Sequence, residues 1–335
     1  ARGKRGGKPV QRDRIAIWES SSEKKTSGVE KLPGVCGKRE GKNIKEPESI
    51  AYTAREEKGF GSGTGTGDCK RGIVMLCREV IKKIEEVYPK DYALSWDNVG
   101  LLAGRRDKEV KKIHLALDAD DRAVKHAITE GSDMLITHHP LIFSGIKKVT
   151  DEDFIGRRLV RLLQNDVSYY AMHTNYDVLS MAKSAADRMG MTEYEVLEKT
   201  KEDPDKGKVF GIGLIGHVER QTAKKLCVIL KSAFDLPGVV LFGDGQKEMH
   251  RIAICPGSGK SVIDVAVQKG ADALVTGDIG HHEGIDAVAK GLCIIDVGHY
   301  GMEHIFVEDM KESLGRMFPE LLIETEPIHY PYHIL

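Results

Sequence analysis

Long apolar runs are missing from this 335-residue chain. No stretch approaches the roughly 20 residues that a membrane-spanning helix needs. The start, Ala1 to Pro9, is basic and polar and has no apolar h-region, so a secretory signal is not expected. The six cysteines (Cys36, Cys69, Cys77, Cys227, Cys255 and Cys293) stand apart without a C-x-x-C pair. That scatter argues against a zinc ribbon or a disulfide framework and suits a reducing cytoplasm. Hydrophobic residues at 41% and charged residues at 30% leave ordinary globular composition, which excludes collagen-like and low-complexity classes.

The net charge of −1 hides an asymmetry. Residues 1–74 hold 17 Lys and Arg against 10 Asp and Glu, an excess of +7, and the remaining 33 basic and 41 acidic residues carry −8. The basic stretch is rich in glycine and serine, as in the alternating glycines of residues 59–67, and shows no sustained periodicity. It reads as a disordered or non-native extension, because too little apolar surface is present to offset chain entropy. A basic arm touching nucleic acid is the functional alternative, but nucleic acid is not the expected partner. Met75 opens the first periodic segment.

From there helical and strand patterns alternate. Helical spacing covers 76–87, 121–130, 154–163, 182–189, 222–234, 261–269, 284–290 and 303–314. Strand-like runs occupy 113–117, 134–137, 167–172, 209–215, 239–242, 251–255, 273–276, 292–297 and 321–324. Strands separated by helices of this length predict an α/β architecture with largely parallel sheets.

The chain also repeats itself. With Ile113 laid over Ile252, Gly131-Ser132-Asp133-Met134-Leu135-Ile136-Thr137 falls without a gap on Gly270-Ala271-Asp272-Ala273-Leu274-Val275-Thr276. In each half the next strand leads to a histidine with an acid four places on, His173 with Asp177 and His299 with Glu303. The expectation is two similar α/β lobes from an internal duplication, with a metal site in the cleft between them. The boundaries read 75–195 for the first lobe, 196–250 for a segment completing it, and 251–335 for the second.

Those strand ends hold the chemistry, because open α/β sheets place ligands at the carboxyl ends of their strands. His138 and His139 follow the buried run at 134–137. Neighbouring residues leaving a strand point apart, so two imidazoles can each address one of two cations about 3.5–4 Å apart. Asp177 and Glu303 are hard oxygen donors able to bridge them, and His299 adds a nitrogen. If His299 and Glu303 share the first turn of a helix, both lie on one face. Imidazole and carboxylate without thiolate favour two zinc, iron or manganese ions over copper, in an open centre rather than a closed structural one. Taken singly, each element has a plainer explanation: a His-His pair is a polar turn, His173 holds a loop, and His281-His282-Glu283 caps a helix.

Trp96-Asp97-Asn98-Val99-Gly100, Thr137-His138-His139-Pro140-Leu141-Ile142-Phe143, His173-Thr174-Asn175-Tyr176-Asp177, Thr276-Gly277-Asp278 and Gly298-His299-Tyr300 with Glu303 together resemble the NIF-three-like dinuclear metal-centre family. Its bacterial members are commonly labelled GTP cyclohydrolase type 2 homologues. The resemblance spans 75–335 and implies a two-lobed α/β fold, often assembled as a ring-shaped homohexamer. It implies that His138, His139, Asp177, His299 and Glu303 hold the two metals. Tyr176 stands where many members have leucine, and the short stretch from Asp177 to Arg251 implies the compact form without an extra domain. The expected function is metal-dependent hydrolysis of a small nucleotide-like or phosphorylated substrate through a metal-bridging hydroxide. His281, His282 and Asp278 are candidates for proton transfer or for supporting the ligands. A non-catalytic, metal-stabilised scaffold or regulatory protein is the alternative. Pro256-Gly257-Ser258-Gly259-Lys260-Ser261 only partly resembles a phosphate-binding loop, because Ile254 replaces its first glycine. A Gly-rich turn there is still able to offer backbone N–H groups to an anion.

Overall fold

Helix α1 (Cys77–Val87) buries Cys77, Val80, Ile81 and Ile84, the spacing of one helical face. It opens a computed structural model that describes residues 74–204 and 207–335. The basic extension read at 1–74 therefore lies outside the described residues except for Val74. Next come strands β1 (Gly100–Ala103) and β2 (Lys112–Ala116), helix α2 (Asp121–Thr129), strand β3 (Met134–Thr137), helix α3 (Phe154–Gln164) and strand β4 (Ser168–Ala171). A short helix α4 (Thr174–Tyr176) runs through a wide turn at Asp177–Met181 into α5 (Ala182–Arg188). Strands β5 (Thr192–Asp203) and β6 (Lys208–Thr222), helix α6 (Ala223–Ala233), and strands β7 (Val240–Phe242) and β8 (Glu248–Ser258) follow. Helix α7 (Ile263–Gln268), strand β9 (Ala273–Gly277), helix α8 (His281–Ala289) and strand β10 (Cys293–Asp296) continue the alternation. Helices α9 (His299–Glu303) and α10 (Ile305–Met317) and strand β11 (Leu322–Thr325) complete it.

The strands form two sheets, ordered β1-β4-β3-β2-β11 and β5-β6-β8-β9-β10-β7. In the first, β11, β2, β3 and β4 are parallel and β1 is an antiparallel edge. In the second, β8, β9 and β10 are parallel, flanked by antiparallel β6 and β7. The central strands read as continuous apolar runs because both of their faces are covered. Met134 and Ile136 join Ile252, Ile254, Val275, Phe306 and Met310 in one shared core. Leu135, between them, points the other way and packs with Val124, Leu162 and Tyr169.

The lobe boundaries differ from the sequence reading in two places. Residues 196–250 do not complete the first lobe, because β6 pairs with β8, with Leu214 opposite Ile254 and Ile215 opposite Ala253, in the second sheet. The final strand, placed with the second lobe, returns instead to the first sheet, where Ile323 lies beside Ile113 on β2. Strands β1 and β5 were not anticipated. The sequence of β5, Thr-Glu-Tyr-Glu-Val-Leu-Glu-Lys-Thr-Lys-Glu-Asp, buries only Leu197 fully and has no continuous apolar face. Its place is fixed by backbone pairing along β6.

The repeated Gly-small-Asp segment does the same job in both sheets. Asp133 Oδ2 accepts from the backbone N–H of Lys111 and Lys112, at the start of β2. Asp272 Oδ2 accepts from the N–H of His250 and Arg251, in β8. Just before each aspartate a glycine in the left-handed region, Gly131 (φ 67°) or Gly270 (φ 72°), ends the preceding helix. In both sheets the helix is thereby turned back into a strand without leaving N–H groups unpaired.

Candidate metal site

The carboxyl ends of the parallel strands carry the polar residues. Beyond β2 stands Asp118, beyond β3 His138 and His139, beyond β4 His173 and then Asp177, beyond β9 Asp278, and beyond β10 His299 at the start of α9. Both sheets contribute, and the five expected ligands come together.

Two triads share one carboxylate. His138 Nε2 lies 3.4 Å from Asp177 Oδ1 and 3.9 Å from Glu303 Oε1. His139 Nε2 lies 2.9 Å from Glu303 Oε2 and 3.1 Å from His299 Nε2, while His299 Nε2 is 2.8 Å from the same oxygen. Of the two acids expected to bridge, Glu303 thus presents one oxygen to each triad, whereas Asp177 Oδ1 faces His138. His299 and Glu303 do share one face of α9, as their spacing predicted. A third grouping joins His138, His139 and His173.

Each imidazole is oriented by the acceptor on its other nitrogen. His138 Nδ1 donates to the Met172 carbonyl at 3.0 Å. His139 Nδ1 donates to Asp118 Oδ1 at 2.8 Å, His299 Nδ1 to Asp278 Oδ2 at 2.7 Å, and His173 Nδ1 to Asp97 Oδ1 at 2.9 Å. In the neutral tautomer with the hydrogen on Nδ1, the form that binds a cation, the Nε2 lone pairs of His138, His139 and His299 face the triads. Two such lone pairs 3.1 Å apart need a proton or a cation between them.

The charges follow from this geometry. Burial disfavours the charged form of His139, but hydrogen bonds to Asp118 and Glu303 override it and raise its pKa to about 10. His299 rises to about 9 in the same way, against burial and mainly through Glu303. Burial would raise Glu303, yet its contacts with His138, His139 and His299 hold it well below the usual carboxylate range. Fully buried His138 is pushed down by desolvation, and Asp177 is pushed up by burial and by the Glu303 charge.

A cation suits the deeper triad on independent grounds. His138 Nε2 and Asp177 Oδ1 are both buried, have no hydrogen-bond partner and face each other. Buried polar atoms are rarely left so, and one oxygen-and-nitrogen-seeking divalent ion satisfies both. The backbone makes room for it. Gly257 (φ 71°) adopts the left-handed region, and a Cβ there would overlap Glu303 Oε1. The Gly-rich turn that resembled an anion cradle thus packs against a carboxylate, which opposes binding of an anion at that point.

The remaining sequence candidates divide. Asp278 orients His299. His281 and His282 are exposed on the first turn of α8 and contact each other at 5.2 Å. Neither belongs to a group of ligand-type side chains among the described residues. Asp97 and Asp118 were not assigned a role from the sequence, because nothing in their spacing ties them to a histidine. The rule that ligands gather beyond parallel strand ends was the available signal for Asp118. Cys255 is 2% exposed and free. No helix among the described residues is long and apolar enough to cross a membrane.

Comparison with known proteins identifies the family. The model of the family described as Duf34/NIF3 (NGG1p interacting factor 3) matches residues 75–331. A Streptococcus pneumoniae protein named GTP cyclohydrolase 1 type 2 homolog is 34% identical over 248 residues, 72% of this chain and 91% of the relative. A Clostridium perfringens protein of the same name is 31% identical over 232 residues, 68% of this chain and 87% of the relative. Among solved structures, a Staphylococcus aureus hypothetical protein superposes with a TM-score of 0.72 at 30% identity, covering 78% of this chain and all of its own. The chain from Met75 onward, with its mixed α/β fold, belongs to the Duf34/NIF3 family.

Proposed function

We propose that this protein binds two divalent cations (zinc, iron or manganese), one in each triad, and uses them to hydrolyse a small nucleotide-like or phosphorylated substrate. The observation that carries the reading is Glu303, whose two oxygens face two different sets of ligands. Paired cations supply a nucleophile from water at neutral pH and polarise the group under attack. The chain's own residues do the rest. Asp118, Asp278 and the Met172 carbonyl hold three imidazoles with Nε2 directed at the triads. His173, with Nδ1 tied to Asp97, keeps Nε2 for carrying a proton to or from a reacting group. That role replaces the one expected of His281 and His282, which are exposed and outside the ligand groups.

We further propose that the two sheets descend from one duplicated unit. Three coincidences support this: Ile113 pairs with Met134 and Ile252 with Ala273 in the same register; Asp133 and Asp272 accept equivalent pairs of N–H groups; and the Met172 and Val297 N–H groups donate to Thr137 and Thr276.

The test is a turnover screen of the zinc- or manganese-loaded protein across phosphoesters, nucleotides and cyclic amides, with His139→Ala and His173→Ala beside it. Hydrolysis abolished by His139→Ala, and reduced about 100-fold or more by His173→Ala with metal content intact, is the expected result. Activity that survives His139→Ala, or no turnover at all, leaves the metal-stabilised scaffold as the reading.

A further inference from the structure

Trp96 and Phe143 are large aromatic side chains left 55% and 54% exposed. Their ring centroids are 5.7 Å apart. Both also touch His173, at 6.0 Å for Trp96 and 6.5 Å for Phe143. His173 in turn meets His138 edge-on at 5.2 Å and His139 at 5.6 Å. The exposed pair is therefore one ring away from the ligand groups.

An aromatic pair in solvent forgoes the burial that would stabilise the fold, and here its backbone is pinned in place. Asn98 Nδ2 donates to the Ile142 carbonyl at 2.6 Å, tying the turn that carries Trp96 to the loop that carries Phe143. Asp97, between Trp96 and Asn98, accepts from His173 Nδ1 and from the N–H and hydroxyl of Thr174. Two consecutive residues, Asp97 and Asn98, thus fix the pair to the histidine that borders both triads. Support that is rigid underneath and open above is what a preorganised binding subsite needs.

Building on the cation reading proposed above, we infer that Trp96 and Phe143 form a stacking platform for a planar heteroaromatic ring of the substrate, whose anionic group reaches the cation site. Such rings stack on aromatic side chains through their π-faces with little regard to base identity. The pair acts on specificity and affinity and does not touch the reacting atoms.

The chain has two tryptophans, Trp18 and Trp96, so Trp18→Phe leaves Trp96 as the sole indole reporter. Zinc-loaded full-length Trp18→Phe protein is titrated with the 5′-monophosphates of guanosine, adenosine and uridine, and with ribose 5-phosphate as the ring-free control. Quenching of Trp96 emission is expected with at least one nucleotide at concentrations where ribose 5-phosphate has no effect. Calorimetry should show binding about tenfold weaker or worse in Phe143→Ala and in Trp96→Ala, recovered in Trp96→Phe. Zinc content separates the two readings. Zinc bound with no nucleotide preferred over ribose 5-phosphate overturns the platform alone. A parent protein that holds no zinc overturns the cation reading and this one with it. A lower oligomeric mass for Trp96→Ala with unchanged nucleotide binding assigns the patch to a second copy of the chain and also overturns the inference.

Discussion

The two triads share Glu303 but live in different surroundings. In the deeper one His138 is fully buried, its Nδ1 is satisfied by a backbone carbonyl, and two polar atoms have no hydrogen-bond partner. In the outer one His139 and His299 are part-exposed, and each is backed by an aspartate that raises its basicity. The first environment disfavours charge on its own groups, and the second favours a bound proton. One fold thus builds an unsatisfied site and a self-satisfied site side by side, and the proposed cations should differ in how they are held.

The sharpest way to break that comparison is to remove what the triads share. Glu303→Gln should lose both cation equivalents in elemental analysis, whereas Asp177→Asn should lose only the deeper one. The reverse pattern would transfer the bridge to Asp177. Because Glu303 is 2% exposed and its charge is held by contacts with His138, His139 and His299, its neutralisation should also destabilise the metal-free fold by about 3 kcal/mol or more.

A smaller effect distinguishes the supports. Asp118→Ala or Asp278→Ala should weaken zinc binding at the outer triad about 10- to 100-fold, with the deeper equivalent unaffected, in a chelator competition assay. Equal weakening of both equivalents would show that the triads are not separable.

The smallest expected effect is on pH dependence. The folded values of about 10 for His139 and about 9 for His299 lie above the unfolded value of about 6.5. The metal-free fold therefore binds more protons than the unfolded chain. The stability this confers is complete below about pH 6.5 and is lost as pH rises through 9 to 10. Zinc must displace those protons, so the rise in Tm on adding zinc should grow by several degrees from pH 7 to pH 9. A zinc-induced shift that stays flat across that interval would mean that neither imidazole is protonated in the metal-free state.

Much of the fold was legible because local physics agreed with the tertiary outcome. The run Met134–Thr137 is buried on both faces and reads as a strand on composition alone. Asp120 and Asp153 cap α2 and α3 through the N–H groups of Ala123 and Gly156, as their positions before apolar helical spacing predict. Strand β5 was hidden because an edge strand with exposed side chains has no apolar signature, and β11 was misplaced because four residues do not say which sheet they join. The candidate site was legible, as a convergence of side chains, where histidines and acids follow strand patterns, as at His138, His139, Asp177 and His299. It was not legible at Asp97 and Asp118, whose value lies in a hydrogen bond to a ring far along the chain, nor at Trp96, whose exposure only the folded structure reveals.

The sequence by itself determined the α/β alternation, the repeated Gly-small-Asp turns and the kinds of donor atom available, because periodicity, helix ends and side-chain chemistry are local properties. Only the tertiary structure decided that β6 joins the second sheet, that β11 returns to the first, and that one carboxylate serves two triads. Those outcomes depend on pairing and convergence between residues distant along the chain, and a distance in space is not encoded in spacing along the sequence.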